Sequence, residues 1–568
     1  AEPTEQLETF HRMCRTRLAE HPTALQVFCF MAKLVTNCQK TNFYTPGKRS
    51  YSFRLDSGIL DPLVYNQPVY GIFFINGHYA AGTHMRSADI ARGGLRLVTG
   101  GRVAHKRQME NAALLSFILG PRDRRLKHKD ICEDGAAGVI VLHPVYGEYS
   151  KDAVLDFTEG ILDLILPNEH VMDYYGRPEI LFFEPDRGTA GLMDTVALRA
   201  KERGYPHWRT IATEKGWGIF QDNYGLLDNG KLFGLLPTGN GLSDLQVEGK
   251  SQLVTQDLEK LRKKISGKIK TLGMATTARM AAFRTLINYH NVREKDLNLM
   301  IIGGPGGRLG GNELICCRGR ICLAIDNEGV LFDPTGLDSG ELEQLVFATR
   351  TGMAAGTMAF PSDMLSPEGF KVPATAARIF LPDGTLVEDS ALFHRDFLFD
   401  PGMKAYIRRA GIRACLPCGG FKGSVTGRNV TAFLENFKEL EFIVEGASLF
   451  FDNDARRHIA ANTCIRHLKD ATANKGGVFS AVMAEVLPGF LLGEQYEAII
   501  LEDTKVCGAL IREILGLVET HAVAETKILI RRCEADPDIP LFTQSDRAGE
   551  EILALQETFR TRLNTLLK

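Results

Sequence analysis

Gly304, Gly307 and Gly310 follow an apolar run, Leu297–Ile302, and Asp326 closes the next such run, Ile321–Ile325. Between a strand and a helix, glycines at that spacing permit a tight turn. They also let backbone N–H groups approach a pyrophosphate at the helix N-terminus. An acidic residue ending the second strand can accept hydrogen bonds from a ribose hydroxyl pair. The step from Gly310 to Asp326 is close to the ~20 residues such sites use. The same pattern also fits a glycine-rich turn that binds nothing. Arg308, inside the loop, leaves NAD against NADP open, because its guanidinium could meet a phosphate. The twelve cysteines carry no comparable signal: Cys415 and Cys418 form a C-x-x-C with no second pair at zinc spacing. They read as buried thiols of a reducing compartment, and no metal site is expected.

The elements that would hold the glycine loop are legible around it. A strand over Leu297–Ile302, a short helix over Glu313–Cys317 and a strand over Ile321–Ile325 make one α/β unit. A first α/β unit precedes it, with strand-like runs at Tyr51–Leu55, Val69–Ile75, Gly94–Val98, Val139–Leu142 and Ile180–Phe183, and a helix over Asp152–Leu166. A length of 568 residues exceeds the roughly 250–300 at which single cores stop growing, so more than one domain is expected. The organisation read from composition is an N-terminal helical segment at 1–40, an α/β domain at 41–240, an insertion at 241–270, a Rossmann-type domain at 271–490 and a helical region at 491–568.

A net charge of −2 gives no sign of a nucleic-acid-binding surface. No uncharged apolar run reaches the ~20 residues of a membrane span; the best stretch, Val478–Leu492, is broken by Glu485 and Pro488. The helix after Pro237–Gly241 carries eight charged residues between Asp257 and Lys270, which reads as a solvated face or a partner-binding surface. Ala at position 1 suggests a processed or trimmed N-terminus.

Other short segments follow one another in a telling order: Lys40–Tyr44, Ser52–Asp56, Asp89–Arg96, Lys129–Ile131, Pro185–Gly191, Asp333–Asp338, Pro417–Gly420, Val444–Ala447 and Asp470–Val478. Together with the glycine loop they resemble the large NAD-specific glutamate dehydrogenases of fungi and protists. The resemblance implies an α/β, two-domain glutamate dehydrogenase-like architecture: a substrate domain plus a Rossmann-type dinucleotide-binding domain, with helical termini. It implies NAD as cofactor, and hydride transfer from the α-carbon of glutamate to the nicotinamide. It also implies a mitochondrial, matrix-side location. Asp186 falls on the family's proton-shuttling Asp. Arg92 falls on a cation that grips a substrate carboxylate, and Lys127 on a second one, within a residue or two. Asn474 and Ser448 fall on cofactor-side positions, Ser448 replacing an Asn.

Other positions break the pattern. The family's Pro-Glu-Gly-Gly-Ser-Lys-Gly is Cys132-Glu133-Asp134-Gly135-Ala136-Ala137-Gly138 here, so Ala137 takes the place of the catalytic lysine. No lysine lies between Lys129 and Lys151 to replace it. The substrate-binding serine is Ala481; Ser480 is one residue away, a rotation of about 100° on a helix. Asp134 adds a carboxylate that would repel a dianion. The expectation is therefore a catalytically inactive pseudoenzyme, a structural or regulatory subunit of a mitochondrial assembly that still binds NAD(H). Protein partners or a homo-oligomer are expected. The alternative is an active NAD-dependent glutamate dehydrogenase.

Overall fold

The computed structural model describes residues 3–99, 102–122, 133–186, 188–189, 192–213, 273–350, 356–420 and 423–566. Lys127 and the expected insertion at 241–270 lie outside the described residues. The chain divides into two compact units, residues 1–125 with 131–215, and residues 126–130 with 216–568.

The first unit opens with helices Pro3–Arg17 and Pro22–Asn37, then builds one sheet. Its strands are β1 (Cys38–Thr41), β2 (Ser50–Leu55), β3 (Gly71–Gly77), β4 (Ala80–Arg86), β5 (Ala91–Val98), β6 (Asp134–Leu142), β7 (Met172–Asp173) and β8 (Phe182–Pro185). Their order across the sheet is β7-β1-β2-β3-β4-β6-β5-β8, with β5 parallel to β6 and to β8. Every residue of β4 is buried, because alternate side chains feed opposite faces. Met85 packs with Phe117, from helix Arg102–Phe117, while a Cβ at Gly82 would lie 3.2 Å from Phe157 of helix Ser150–Ile165.

The second unit has a seven-stranded sheet and a small hairpin. The strands are β9 (Asn298–Ile302), β10 (Arg320–Ile325), β11 (Gly329–Phe332), β12 (Phe370–Pro373), β13 (Ile379–Phe380), β14 (Leu386–Val387), β15 (Ala414–Pro417), β16 (Phe442–Val444) and β17 (Arg466–Leu468). The order is β12-β11-β10-β9-β15-β16-β17; the five strands from β10 to β17 are parallel, and β11 and β12 add an antiparallel edge. Leu299–Ile302 and Ile321–Ile325 are buried throughout, as continuous apolar strands of a covered parallel sheet should be. From β9 the chain moves to β10 on one side and later returns to β15 on the other. The carboxyl ends of β9 and β15 therefore form a topological switch point, where α/β sheets bind ligands.

Two elements differ from their sequence reading. The helix after the glycine loop spans Arg308–Cys316 rather than starting at Glu313, because Gly307 caps it in an extended conformation and Gly310 packs down instead of breaking it. Strand β6 starts at Asp134, not Val139, so Ala137 lies inside a strand. The helical run Asp470–Gln495 is long and apolar enough to cross a membrane by length and composition, and 61% of its most apolar 18-residue stretch is buried inside the structure.

Candidate functional site

The first unit gathers its charged candidates at the carboxyl end of β8 and the adjoining stretch of β5. The backbones there run very close. A Cβ at Gly93 would overlap the Ala136 carbonyl oxygen at 1.5 Å, and one at Gly94 would lie 3.0 Å from the Asp186 Cβ. Glu179 anchors the chain entering β8: both Arg54, at 3.3 Å, and Arg86, at 2.5 Å, pair with it in the interior. After β8, Gly188 turns with φ +81°, and Thr189 Oγ1 donates to the Leu95 carbonyl at 2.5 Å. Thr189 Oγ1 also accepts from the Asp186 amide at 3.0 Å. That fixes Asp186 beside β5.

Within this frame each arginine is held by carboxylates of its own unit. Arg92 is fully buried, with Nη2 at 2.9 Å from Glu133 Oε1 and Nε at 3.1 Å from Glu133 Oε2. Its Nη1 lies 2.6 Å from Glu184 Oε1, an ion pair by distance rather than an aligned hydrogen bond. Arg96 grips Asp186 through Nε at 2.9 Å and Nη2 at 3.2 Å. Bidentate pairing of this kind is the strong, geometry-specific form of an Arg–carboxylate contact.

Ala137 is 1% exposed and stands across from Met85 in the β4–β6 ladder. Directly opposed residues share a face of the sheet, so its Cβ points into the Met85–Phe117 layer. The stretch Ile118–Arg122 covers it: a Cβ at Gly120 would lie 2.5 Å from the Ala137 nitrogen. One step along, His84 opposes Gly138 and sits between Phe73 and Phe183, with no hydrogen-bond partner for either ring nitrogen. Burial, with Arg86 nearby, pushes its imidazole down to about 3. A cavity of about 650 Å³ opens elsewhere in the unit, near Lys48 and Lys151, and its Arg49, Arg199 and Arg203 are paired with carboxylates.

In the second unit the glycines form a tight, closely packed turn. Gly303 and Gly304 have φ of +125° and +33°. A Cβ at Gly307 or Gly310 would meet the Gly303 carbonyl oxygen at 2.2 or 2.0 Å, so the helix can seat only on glycine. Gly303 lies against Gly419 after β15, where its own Cβ would be 2.8 Å from the Gly419 nitrogen. Asp326 reaches the loop from the end of β10. Its carboxylate accepts from the Glu328 amide at 2.9 Å, the Gly329 amide at 3.2 Å, the Thr357 amide at 2.9 Å and Thr357 Oγ1 at 2.6 Å. A carboxylate offers about four lone-pair sites, so a ribose hydroxyl must share or displace one of these bonds.

Asn474 and Ser448 come together: Asn474 Nδ2 donates to the Gly446 carbonyl at 2.9 Å and to Ser448 Oγ at 3.2 Å. Asn474 Oδ1 is buried without a partner, an acceptor suited to an amide donor. Leu449, beside Ser448, is held at φ +61° by its amide's bond to Asp470 at 2.7 Å. Beneath them Glu445 binds Arg456 at 2.7 Å and His467 at 2.6 Å. Although burial opposes its charge, these partners bring the Glu445 carboxyl down to about 2. Ala481 is fully buried, and Ser480 donates its hydroxyl to the Gly477 carbonyl at 3.0 Å. Among the described residues no group of three His, Cys, Asp or Glu is placed to hold a metal.

The structure thus joins Arg92 to Glu133 and Glu184, Asp186 to Arg96, and Asn474 to Ser448. Sequence reasoning did not single out Glu184, His84, Gly303 or Thr357. Only Gly303, next to the glycine motif, carried a local signal.

Residues 267–487 match the Glutamate/Leucine/Phenylalanine/Valine dehydrogenase family. Among curated relatives, "Glutamate dehydrogenase 2" of Dictyostelium discoideum is 32% identical over 475 residues, covering 83% of this chain and 40% of that protein. The "NAD-specific glutamate dehydrogenase" of Neurospora crassa is 30% identical over 536 residues, covering 91% and 45%. The chain therefore spans less than half the length of these relatives. Among solved structures, Plasmodium falciparum glutamate dehydrogenase superposes with a TM-score of 0.50 at 11% identity, covering 99% of this chain and 96% of that one. A glutamate dehydrogenase point mutant gives 0.51 at 12%, covering 97% and 98%. At such identities the likeness concerns the fold.

Proposed function

Because the chain belongs to the glutamate dehydrogenase-like family, we propose that it is a catalytically silent member: a subunit of a larger protein assembly that keeps a site for NAD(H). The observation that carries this reading is Ala137. At the position of the family's catalytic lysine stands a methyl group, buried within a strand and roofed by Ile118–Arg122. A positioned general acid–base contributes ~10²–10⁴ in rate, and no lysine follows before Lys151 to restore it. Ala481 and the inward-turned Ser480 hydroxyl remove a second expected contact.

The NAD(H) part rests on the glycine cradle at the switch point and on the buried, partnerless Asn474 Oδ1. When bound, NAD would supply the hydride acceptor; the chain's own part is to seat its pyrophosphate on the Gly304–Gly310 loop. The assembly part is supported by apolar helix surface. Helix Pro22–Asn37 has no buried residue, and its Phe28, Phe30, Met31 and Val35 are exposed. Leu555, Phe559, Leu563 and Leu566 line one side of the last helix in the same condition. Contiguous exposed apolar surface marks interaction sites. A matrix-side mitochondrial location is part of the proposal and rests on the family resemblance alone.

The test is direct. The purified chain, given glutamate with NAD or NADP, should show no turnover, while calorimetry with NADH should show saturable heat. A turnover near ~1 s⁻¹, in the ordinary enzyme range, refutes catalytic silence.

A further inference from the structure

The Arg92 side chain is 0% exposed, yet it is not isolated: Glu133 takes its Nε–Nη2 edge and Glu184 its Nη1. A guanidinium grips carboxylates through these N–H groups, and here they are met from within the unit. The two carboxylates come from different places, Glu133 from the segment entering β6 and Glu184 from β8, whose register sets it opposite Gly94 of β5. Gly94 adds no side chain of its own there, and the β5 side chain that meets Glu184 is Arg92. The neighbouring Arg96 is likewise closed by Asp186. Among the described residues, Arg92 and Arg96 thus meet three carboxylates, Glu133, Glu184 and Asp186.

We infer that Glu133 and Glu184 are built-in carboxylate ligands of Arg92, and that Glu184 sets the specificity of this face by closing it to free carboxylates. A tethered carboxylate competes at an effective concentration far above that of a dissolved acid, and displacing it would also leave a buried charge behind. The inference rests on the catalytically silent reading, since an enzyme acting on glutamate would need Arg92 open to substrate. It goes further by naming the residue that must be removed before a carboxylate can enter.

Chemical rescue tests it on the full chain. Glu184→Ala should melt lower than the wild type and recover much of that loss in formate or acetate, but not in chloride at equal ionic strength. The wild type should not respond to either carboxylate beyond its response to chloride. Adding Arg92→Met to Glu184→Ala should abolish the recovery. Should Glu184→Ala not fold, Glu184→Gln keeps the shape and loses the charge, and it should show saturable heat with glutarate where the wild type shows none. Equal response of Glu184→Ala to carboxylate and chloride overturns the inference. So does wild-type heat with glutarate matching that of Glu184→Gln. If the wild type oxidises glutamate, the silent reading fails; if it does not, and rescue is also absent, only the role of Glu184 fails.

Discussion

A lysine introduced at position 137 should damage the fold before it supplies any chemistry. Ala137 is 1% exposed, faces Met85 and Phe117, each 1% exposed, and lies beneath Gly120. A lysine there adds three carbons and an ammonium to a filled layer. Overpacking of a good core costs about 1–3 kcal/mol. Burying the amine depresses its pKa by up to about 3–5 units, at 1.36 kcal/mol each, which adds roughly 4–7 kcal/mol near neutral pH. The sum is of the order of a domain's whole stability, about 5–15 kcal/mol. Even half of it would lower Tm by about 5–20 °C in a unit of this size. Ala137→Met separates the two contributions, since it fills the space without the charge. The unfolded lysine titrates near ~10.4 and the buried one lower, so the unfolded chain holds the extra proton between those values. The deficit of Ala137→Lys relative to Ala137→Met should therefore shrink as pH rises from neutral towards ~10. Thermal melts of the three proteins across that range, with a glutamate–NAD assay of each, decide the matter. A lysine variant that melts like the wild type and oxidises glutamate would refute the placement of residue 137 in a closed layer.

His84 predicts a pH dependence of its own. Its folded pKa of about 3 lies below the ordinary 6.5, so its contribution is fully present above 6.5 and is lost as pH falls towards 3. Wild type should lose about 2–3 kcal/mol more than His84→Leu between pH ~7 and ~4.5 in denaturant titrations, and parallel curves would contradict this. At the other sheet, Asp326→Ala should lower the melting temperature by several degrees, because four hydrogen bonds end on that carboxylate. It should also raise the Kd for NADH by about tenfold or more. A lower Tm with unchanged NADH heat would assign Asp326 to its turn alone.

What the sequence disclosed and what it hid divide along a physical line. Leu299–Ile302 and Ile321–Ile325 were readable because strands buried on both faces are unbroken apolar runs. The start of β6 was not, because Asp134-Gly135-Ala136-Ala137-Gly138 contains no β-branched residue and draws its strand character wholly from β4 and β5 on either side. The Arg308–Cys316 helix was cut short in the reading because Gly310 and Gly311 look like breakers, whereas Gly310 is the point of contact with Gly303. Glu184 was invisible as a partner of Arg92 because only the parallel pairing of β5 with β8 brings them together. The expectation that Ala137 and Ala481 stand in place of a lysine and a serine comes from the resemblance alone. That their places are sealed, one by the Ile118–Arg122 cover and the other by full burial, belongs to tertiary structure.

The glycines need a different weighing from the side chains. Gly304 is hemmed in by Asp326, where a Cβ would lie 2.2 Å from Oδ2; Gly307 and Gly310 by the Gly303 carbonyl; and Gly446 by Arg279, at 1.7 Å from Nη1. Each clash is with this chain's own atoms, so packing would keep these glycines in place even if no dinucleotide ever bound. Their presence therefore testifies to the fold more strongly than to the cofactor. The discriminating groups are those whose polar atoms packing leaves in want. Asp326 is a poor witness, since its own turn and Thr357 already engage it. Asn474 is a better one: an amide oxygen buried without a donor carries a desolvation cost of about 1–3 kcal/mol that an incoming N–H would relieve. Of the two, Asn474 is where the case for NAD(H) is strongest.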